Sequence, residues 1–207
     1  IGMSPFLMNL AACFIVIIIN QGLKKYGGDL AIGAFGIVNR LVFIVVMIVM
    51  GLNQGMQPIA GYNFGAKLYG RVNKVLRLTI IYATAVTTFG FLVGMLVPDL
   101  VVGIFTSDAE LTELSVTGLR ITVMFFPIIG FQMVTSNFFQ SIGMAGKAIF
   151  LSLTRQMLIL LPCLLVLPQF FGVAGVWYSM PVSDLLASLI ALVMLVCQFR
   201  KFRTSPL

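Results

Sequence analysis

Six long apolar runs, separated by short polar segments, constrain this 207-residue chain more than any other feature of its sequence. They lie near residues 3–21, 31–57, 76–98, 116–140, 148–170 and 174–199. A helix needs about 20 residues to cross the hydrocarbon core of a bilayer, which is about 30 Å thick. Barrel strands would be shorter and would alternate between apolar and polar residues. The sequence therefore predicts an all-α membrane protein, a bundle of about six transmembrane helices that forms a single lobe over residues 1–207.

The charge content agrees with a membrane location. Charged residues make up only 9% of the chain and hydrophobic residues 60%, with a mean hydropathy of +1.09. A soluble domain carries about 25% charged residues, so this chain could not cover a soluble surface. The net charge is +7, but the basic residues are spread over the short segments between the apolar runs. We therefore expect the lipid bilayer as a partner and no nucleic acid.

The distribution of charge predicts an orientation. The segment between the second and third runs is basic, as is the end of the chain, whereas the segment between the third and fourth runs is acidic. The basic residues of the first segment are Lys67, Arg71, Lys74 and Arg77, and the acidic residues are Asp99, Asp108, Glu110 and Glu113. Positively charged segments stay in the cytoplasm. We therefore expect a multi-pass protein of the plasma (inner) membrane with a cytoplasmic C-terminus.

The residue types available exclude most enzyme chemistry. The chain has no histidine, which is the commonest general base and metal ligand, and no pair of carboxylates inside an apolar run. The cysteines Cys13, Cys163 and Cys197 lie in apolar runs and form no CxxC pair. The one Gly-Lys step, at Gly146, lacks the rest of a phosphate-binding loop. We predict no catalytic residue, no metal site and no cofactor, with an ion gradient of H⁺ or Na⁺ as the energy source.

Two charged residues fall deep inside predicted spans. Arg40 lies about ten residues into the second span, and Asp184 lies about eleven residues into the sixth. At 1.5 Å per residue, both would sit near the middle of the membrane. A lone charge at that depth costs about 2.5–3.5 kcal/mol, so we expect Arg40 and Asp184 to face the bundle interior and to pair. Two hypotheses remain open, a structural clamp and a protonatable or ion-sensing group.

Uncharged polar residues form stripes on two predicted spans. In the second span, Asn53 and Gln57 are four residues apart and share a helix face, with Gln54 beside them. In the fourth span the stripe recurs at i, i+4 and i+8, as Gln132, Ser136 and Gln140. Such residues either bond to neighbouring helices or line a water-filled path. They are our candidates for a substrate cavity, whose apolar wall could come from the 18 Phe and 12 Met residues.

Prolines lie inside the last three predicted spans, at positions 127, 162 and 181. A proline inside a helix removes one backbone hydrogen bond and clashes with the preceding turn. We therefore expect a kink in each of these spans.

Several segments of the chain resemble transporters of the MATE (multidrug and toxic compound extrusion) family. The longest is GLNQGMQPIAGYNFGAKLYGRVNKVLR (51–77), which resembles the end of the family's eighth helix and the cytoplasmic loop after it. Within it, the resemblance implies that the helix ends at Pro58 and that Gly61, Tyr62, Asn63 and Gly65 form a turn. The supporting segments are GGDLAIGAFGIVNR (27–40), FFQSIGMAGKAIFLSLTRQ (138–156) and FGVAGVWYSMPVSD (171–184).

The resemblance implies a fold, an activity and a coupling mode. The family has twelve helices in two lobes around a central cleft, so this chain corresponds to the C-terminal lobe, with the N-terminal lobe absent. The chain also starts at Ile1 without Met, as if cut from a longer protein. The whole would be a secondary-active exporter that antiports amphipathic or cationic small organic compounds against H⁺ or Na⁺ by alternating access. Many family members carry an acidic residue of a cation site in the helix matching 3–21, and some carry acidic residues in the helix matching 116–140, where this chain has none. Proton coupling through a carboxylate of the missing lobe is then favoured.

Two other functions remain open. One is a lipid-linked saccharide flippase of the same superfamily, for which only Arg40 and Arg120 could hold a pyrophosphate. The other is a membrane scaffold subunit that does not transport and has no water-exposed face.

Overall fold

A computed structural model of the chain describes the backbone of residues 3–204 and the side chains of residue 6 and residues 9–199. All regular structure in this part is helical. The elements are α1 (Met3–Gly65), α2 (Tyr69–Leu96), α3 (Pro98–Gly103), α4 (Ala109–Val123), α5 (Phe126–Ser141), α6 (Ala145–Leu153), a π-helical segment (Thr154–Leu160), α7 (Leu161–Phe171) and α8 (Val173–Thr204).

The longest helix, α1, is two helices that meet without a loop. Its 63 residues would extend about 95 Å if straight, three times the thickness of a bilayer core. Gly28 interrupts it with φ 67° and ψ −161°, a conformation that only glycine adopts readily. Val16 and Val42, about equally far from Gly28 along the chain, line the same cavity. The two parts therefore run antiparallel, and we call them the first arm (3–27) and the second arm (29–65).

The helices account for six membrane crossings. Within the described residues, four helices are long and apolar enough to cross a bilayer: Asn9–Gly65, Tyr69–Leu96, Ala145–Phe171 and Val173–Phe199. The pair α4 and α5 forms a fifth, bent by 55°. Because α1 folds back at Gly28, it supplies two of the crossings. The predicted all-α membrane bundle of about six helices is confirmed.

The bend between α4 and α5 has a cause in the sequence. Pro127 lies in the first turn of α5, directly after the break at Met124 and Phe125. Pro127 has no N–H to continue the hydrogen-bond ladder across the break, and proline is favoured in the first turn of a new helix. The kink predicted at Pro127 is confirmed. At Pro162 the chain passes from the π-helical segment into α7, whereas α8 continues through Pro181 to Thr204 without a break.

The prediction that the second arm ends at Pro58 is wrong. The helix continues to Gly65. Proline at an exposed helical position costs one hydrogen bond, and the surrounding turns can hold the helix together. The chain instead turns just after Gly65, where Lys67 has a positive φ of 58°. The amide of Leu68 closes this turn on the carbonyl of Asn63, at 2.9 Å.

The residues predicted to form that turn therefore lie on the last two helical turns of α1. The Asn63 side-chain amide donates to the carbonyl of Ile59 at 2.8 Å, within the helix. Gly61 packs against the end of α5, where an added Cβ would lie 3.0 Å from the Ser141 carbonyl. Tyr62 is exposed. Gly61 thus contributes a close helix contact rather than a turn.

The apolar core is divided into two clusters. One lies toward the Gly28 end of the bundle and includes Leu23, Val38 and Trp177. The other lies toward the Gly65 end and includes Met56, Phe138 and Leu151. The cavity described next is lined by members of the first cluster, such as Phe35 and Phe126.

Candidate functional site

A cavity lies at mid-depth in the bundle, lined by members of the apolar cluster toward the Gly28 end, including Phe35, Phe126 and Leu160. Its volume is about 220 Å³. The first and second arms, α4, α5, the π-helical segment and α8 all contribute to its wall. Its polar lining residues are Asn39, Thr122, Arg155, Ser183 and Asp184, and the remaining lining residues are apolar.

The cavity contains an ion pair. The Arg155 Nε donates to the Asp184 Oδ1 at 2.6 Å, and this is the one ion pair among the described residues. The Asp184 side chain is only 5% exposed, and that of Arg155 is 33% exposed. Arg155 lies about 15 Å from the start of α6 at Ala145, and Asp184 about 16 Å from the start of α8 at Val173. Both charges are therefore near the membrane midplane.

The predicted pair of Arg40 with Asp184 is wrong, because Asp184 pairs with Arg155. Arg40 is exposed on the second arm and does not line the cavity. Its neighbour in the sequence, Asn39, lies on the cavity wall instead. Consecutive helix residues point about 100° apart, so the cavity wall receives the side chain of Asn39 and not that of Arg40.

Arg155 is held in unusual backbone geometry. It is the second residue of the π-helical segment Thr154–Leu160, and π-helical turns are rare and frequently lie at functional sites. The Thr154 hydroxyl and the side-chain carbonyl oxygen of Gln156, on either side of it, are buried and have no hydrogen-bond partner among the described residues. Polar groups concentrate on this one segment at the centre of an otherwise apolar helix.

The size of the cavity limits what it can hold. A volume of about 220 Å³ corresponds to about seven water molecules. Pockets for drug-sized ligands are about 300–1,000 Å³. The space that this lobe alone encloses can therefore accommodate an ion, a proton-carrying water chain or a few waters around the Arg155–Asp184 pair, and it is smaller than a pocket for a drug-sized compound.

The predicted polar stripes do not line this cavity. Gln57 donates through Nε2 to Oδ1 of Asn137 on α5 at 3.3 Å. Ser136 Oγ lies 3.2 Å from Ser152 Oγ on α6. These are hydrogen bonds between helices. Sequence reasoning missed Asn137, which lies outside the i, i+4 stripe.

The remaining stripe residues differ in exposure. Asn53 and Gln132 are buried, Gln140 is half-buried and Gln54 is exposed. Both amide atoms of Asn53 are buried without a hydrogen-bond partner in the described part of the chain. Of the six candidates, Gln54 is the one whose side chain is exposed on this lobe.

The MatE family profile matches residues 5–165. The chain belongs to the MatE family. Multidrug export protein MepA of Staphylococcus aureus is 29% identical over 192 residues, which are 93% of this chain and 42% of MepA. The MATE assignment made from the sequence is confirmed.

Solved structures agree with the family. The MATE multidrug transporter DinF-BH, solved in complex with a ligand, is 36% identical, with a TM-score of 0.86, and the match covers 99% of this chain and 46% of DinF-BH. A mutant of the Vibrio cholerae MATE transporter VcmN shares the fold, with a TM-score of 0.88 at 20% identity over 96% of this chain and 45% of VcmN. This MatE chain thus spans less than half the length of the relatives it matches.

Proposed function

We propose that this chain is one six-helix lobe of a secondary-active multidrug exporter. With a second lobe, it antiports amphipathic or cationic organic compounds against H⁺ or Na⁺ by alternating access. The observation that carries the proposal is the match of nearly the whole chain to about half of DinF-BH, at 36% identity. A protein built from two such lobes would bind its substrate between them, near the midplane.

The second arm supplies the surface that we assign to the substrate cleft. Arg40, Phe43, Met47 and Gln54 are exposed and follow one another at i, i+3, i+7 and i+14, which places them on one helix face. An arginine at mid-depth facing lipid would cost about 2.5–3.5 kcal/mol, so this face favours a water-filled cleft. Phenylalanine and methionine side chains can adapt to amphipathic compounds of different shape.

The charge of Arg40 has a consequence for the second lobe. A guanidinium in the cleft repels cationic compounds, and Arg40 has no carboxylate partner among the described residues of this chain. A carboxylate on the other lobe would neutralise it and would serve as a coupling group. The first arm and α5 contain no Asp or Glu, which also favours a coupling carboxylate in the other lobe.

The Arg155–Asp184 cavity is our candidate for the conformational coupling of this lobe. Its residues come from both arms of α1 and from four further elements, so a change in the pair would act on all of them. Protonation of Asp184 would weaken its attraction to Arg155 and release the π-helical segment. The structural alternative is that the pair is a fixed clamp between the π-helical segment and α8.

Orientation follows from the ends of α2. Basic residues lie in the turn before α2 and in its first turns, and Asp99 follows its other end. The helix is about 42 Å long, so these charges lie on opposite sides of a bilayer. We propose that the basic end and the C-terminus are cytoplasmic.

A transport assay tests the exporter proposal. The intact protein is expressed in cells that lack their own exporters, and retention of a fluorescent, lipophilic, cationic dye is measured with the proton gradient intact, with the gradient collapsed, and with Na⁺ replaced by K⁺. We expect dye retention to fall on expression and to rise again when the proton gradient is collapsed. Equal retention with and without the protein would count against export of this compound class.

The scaffold alternative makes a different prediction for the second arm. A scaffold has no water-exposed face, whereas an exporter exposes Gln54 to water in its cleft. The flippase alternative needs several cations in that cleft; Arg40 and Arg120 are exposed, but neither lines the cavity. Efflux of the cationic dye without transport of a lipid-linked saccharide would separate exporter from flippase.

A further inference from the structure

A second concave site lies at the end of the bundle near the start of α2. It is a groove of about 480 Å³ between α2 and α8, lined by Tyr69, Asn73, Leu76, Arg77, Ile80, Ile81 and Phe199. The α2 members recur at intervals of three and four residues and therefore form one stripe along the helix. The stripe extends over about 12 residues, or about 18 Å.

The groove changes from polar to apolar along its length. The first part of the stripe carries Tyr69, Asn73 and Arg77, and the rest carries isoleucines. Leu76 is buried and forms the floor, whereas Arg77 and Ile81 are exposed. A ligand that fits has a charged or polar end and an apolar remainder.

The charge around the groove requires that polar end to be anionic. Arg77 lines the groove, and Lys67, Arg71 and Lys74 lie at the same end of the bundle without lining it. The sequence has no Asp or Glu between Asp29 and Asp99 or between Glu113 and Asp184. The only acidic residue in α8, Asp184, is about 22 Å along the helix from Phe199 and is paired with Arg155.

The depth of Arg77 favours a lipid over a soluble anion. The length of α2, about 42 Å, exceeds a 30 Å bilayer core by about 6 Å at each end. Arg77 lies about 12 Å from the start of the helix and therefore about 6 Å inside the hydrocarbon. A long basic side chain at that depth extends toward the headgroups, where a phosphate would neutralise it.

We propose that this groove binds an anionic phospholipid, with its phosphate on Arg77, Asn73 and Tyr69 and an acyl chain along Leu76, Ile80 and Ile81. The lipid would fill the space between α2 and α8 at the basic end of the bundle. The proposal does not depend on transport, so it can be tested by binding alone.

The test is quenching of a tryptophan placed in the groove. Ile81→Trp is introduced into the intact protein, which is reconstituted with phosphatidylcholine that contains increasing fractions of brominated phosphatidylglycerol or brominated phosphatidylcholine. Within this chain the natural Trp177 is buried in the other apolar cluster and contributes a constant signal. Spectra of the protein without Ile81→Trp give the baseline.

We expect brominated phosphatidylglycerol to reach a given degree of tryptophan quenching at about one-fifth of the mole fraction that brominated phosphatidylcholine requires. This factor is typical of the attraction of one basic residue to an anionic lipid. Arg77→Gln should bring the two lipids close to parity. Arg71→Gln is the matched control, because it removes the same charge from another face of α2 and should keep the preference. Arg77→Lys is a second variant that retains the positive charge, and it should also keep the preference for the anionic lipid.

Other outcomes would overturn the proposal. Equal quenching by both lipids would show no anionic preference. An equal loss in Arg71→Gln and Arg77→Gln would show general attraction to the basic surface. Loss of the preference on adding inorganic phosphate at the concentration of the lipid would point to a free-anion site. No quenching by either lipid would show that protein, such as a second lobe, covers the groove.

Discussion

The Arg155–Asp184 pair is the residue-level feature on which the site depends. Burying a charged group such as the Asp184 carboxylate is expensive, and removing its partner leaves an uncompensated charge. The Nε–Oδ1 contact of 2.6 Å uses one of the N–H donors of Arg155, and both residues line the cavity. The pair therefore combines a structural contact with a charge that small molecules or protons in the cavity can reach.

Charge neutralisation tests which role dominates. We expect Asp184→Asn to lower the free energy of unfolding by about 2 kcal/mol, because Arg155 is then left without a counter-charge in a partly buried site. Combining it with Arg155→Gln should recover most of that loss, since an amide pair carries no net charge. Unfolding in mixed micelles measures both effects.

Transport by the same variants distinguishes the two hypotheses. If the pair is a clamp, the double variant should export the cationic dye at close to the wild-type rate. If Asp184 takes part in coupling, the double variant should be stable but should lose the dependence of export on the proton gradient. A double variant as unstable as Asp184→Asn would rule out charge compensation as the cause.

The charged residues show how far sequence could predict this site. Apolar periodicity and a rise of about 1.5 Å per residue put Asp184 at mid-depth, and the same arithmetic applies to Arg155, which lies three turns after Ala145. The sequence did not identify Arg155 as the partner of Asp184. The direction in which a side chain points around a helix depends on the tertiary packing and on the local π-helical geometry. The cavity residues Asn39, Thr122 and Ser183 carry no sequence signal of their own.

At the scale of elements, the π-helical segment determines where Arg155 points. Pro162 follows it closely and is exposed. Without an N–H, Pro162 cannot donate the hydrogen bond to residue 158 that an α-helix would form. The break in the α-helical ladder therefore has a covalent cause next to the segment.

Restoring a backbone N–H at position 162 should change the hydrogen bonding of the π-helical segment. We expect Pro162→Ala to favour α-helical bonding between residues 154 and 162, to turn Arg155 away from Asp184 and to reduce export at least severalfold. Pro58→Ala is the control, since Pro58 is also exposed within a helix but distant from the cavity. A fall in export of equal size in both variants would contradict a specific role for the segment.

Helix packing makes a second prediction at this scale. Gly130 on α5 lies so close to α2 that an added Cβ would be 2.8 Å from the Ala83 carbonyl oxygen and 2.7 Å from the Thr87 hydroxyl. We expect Gly130→Ala to separate α2 from α5 and to lower stability by about 1–3 kcal/mol. Gly51→Ala, at an open position on α1, should instead raise stability by about 0.5–1 kcal/mol, because alanine loses less backbone freedom than glycine in a helix. Thermal unfolding of the purified variants measures the difference.

Sequence predicted the elements better than it predicted the joints between them. Long apolar runs indicated the crossings, and Pro127 indicated the bend of α4 and α5, because both signals are local. The end of the second arm was misplaced by about two helical turns, since Pro58 is tolerated where the rest of the helix is held by packing. The loop-free reversal at Gly28 was also missed, because Gly27, Gly28 and Asp29 are equally compatible with an ordinary loop.

At the scale of the whole molecule, the assignment of a cleft face can be checked by labelling. In a cysteine-free background, we expect Gln54→Cys to react with a membrane-impermeant maleimide, because it faces water between the lobes. Phe89→Cys, at a highly exposed position on α2, should not react, because that position faces lipid. The background requires replacement of Cys13, Cys163 and Cys197, which lie within this chain. Two unreactive cysteines would favour a scaffold over an exporter.

Orientation has an independent test. We expect a fluorescent protein fused after Leu207 to fold and fluoresce, and an alkaline phosphatase fused there to stay inactive, since the C-terminus is proposed to be cytoplasmic. The opposite pair of results would reverse the orientation. The lipid-binding groove would then lie in the outer leaflet.

The reversal at Gly28 also restricts how the gene can change. The two spans are joined without an intervening loop, so no flexible segment can accommodate an inserted or deleted residue. One extra residue would rotate the second arm by about 100° and exchange the side chains that meet the core for those that meet the cleft. The stretch around Gly28 should therefore be intolerant of changes in length, whereas the connection between α3 and α4 at residues 104–108 should accept them. A scan of single-residue insertions, selected for growth in a toxic compound, would show this difference directly.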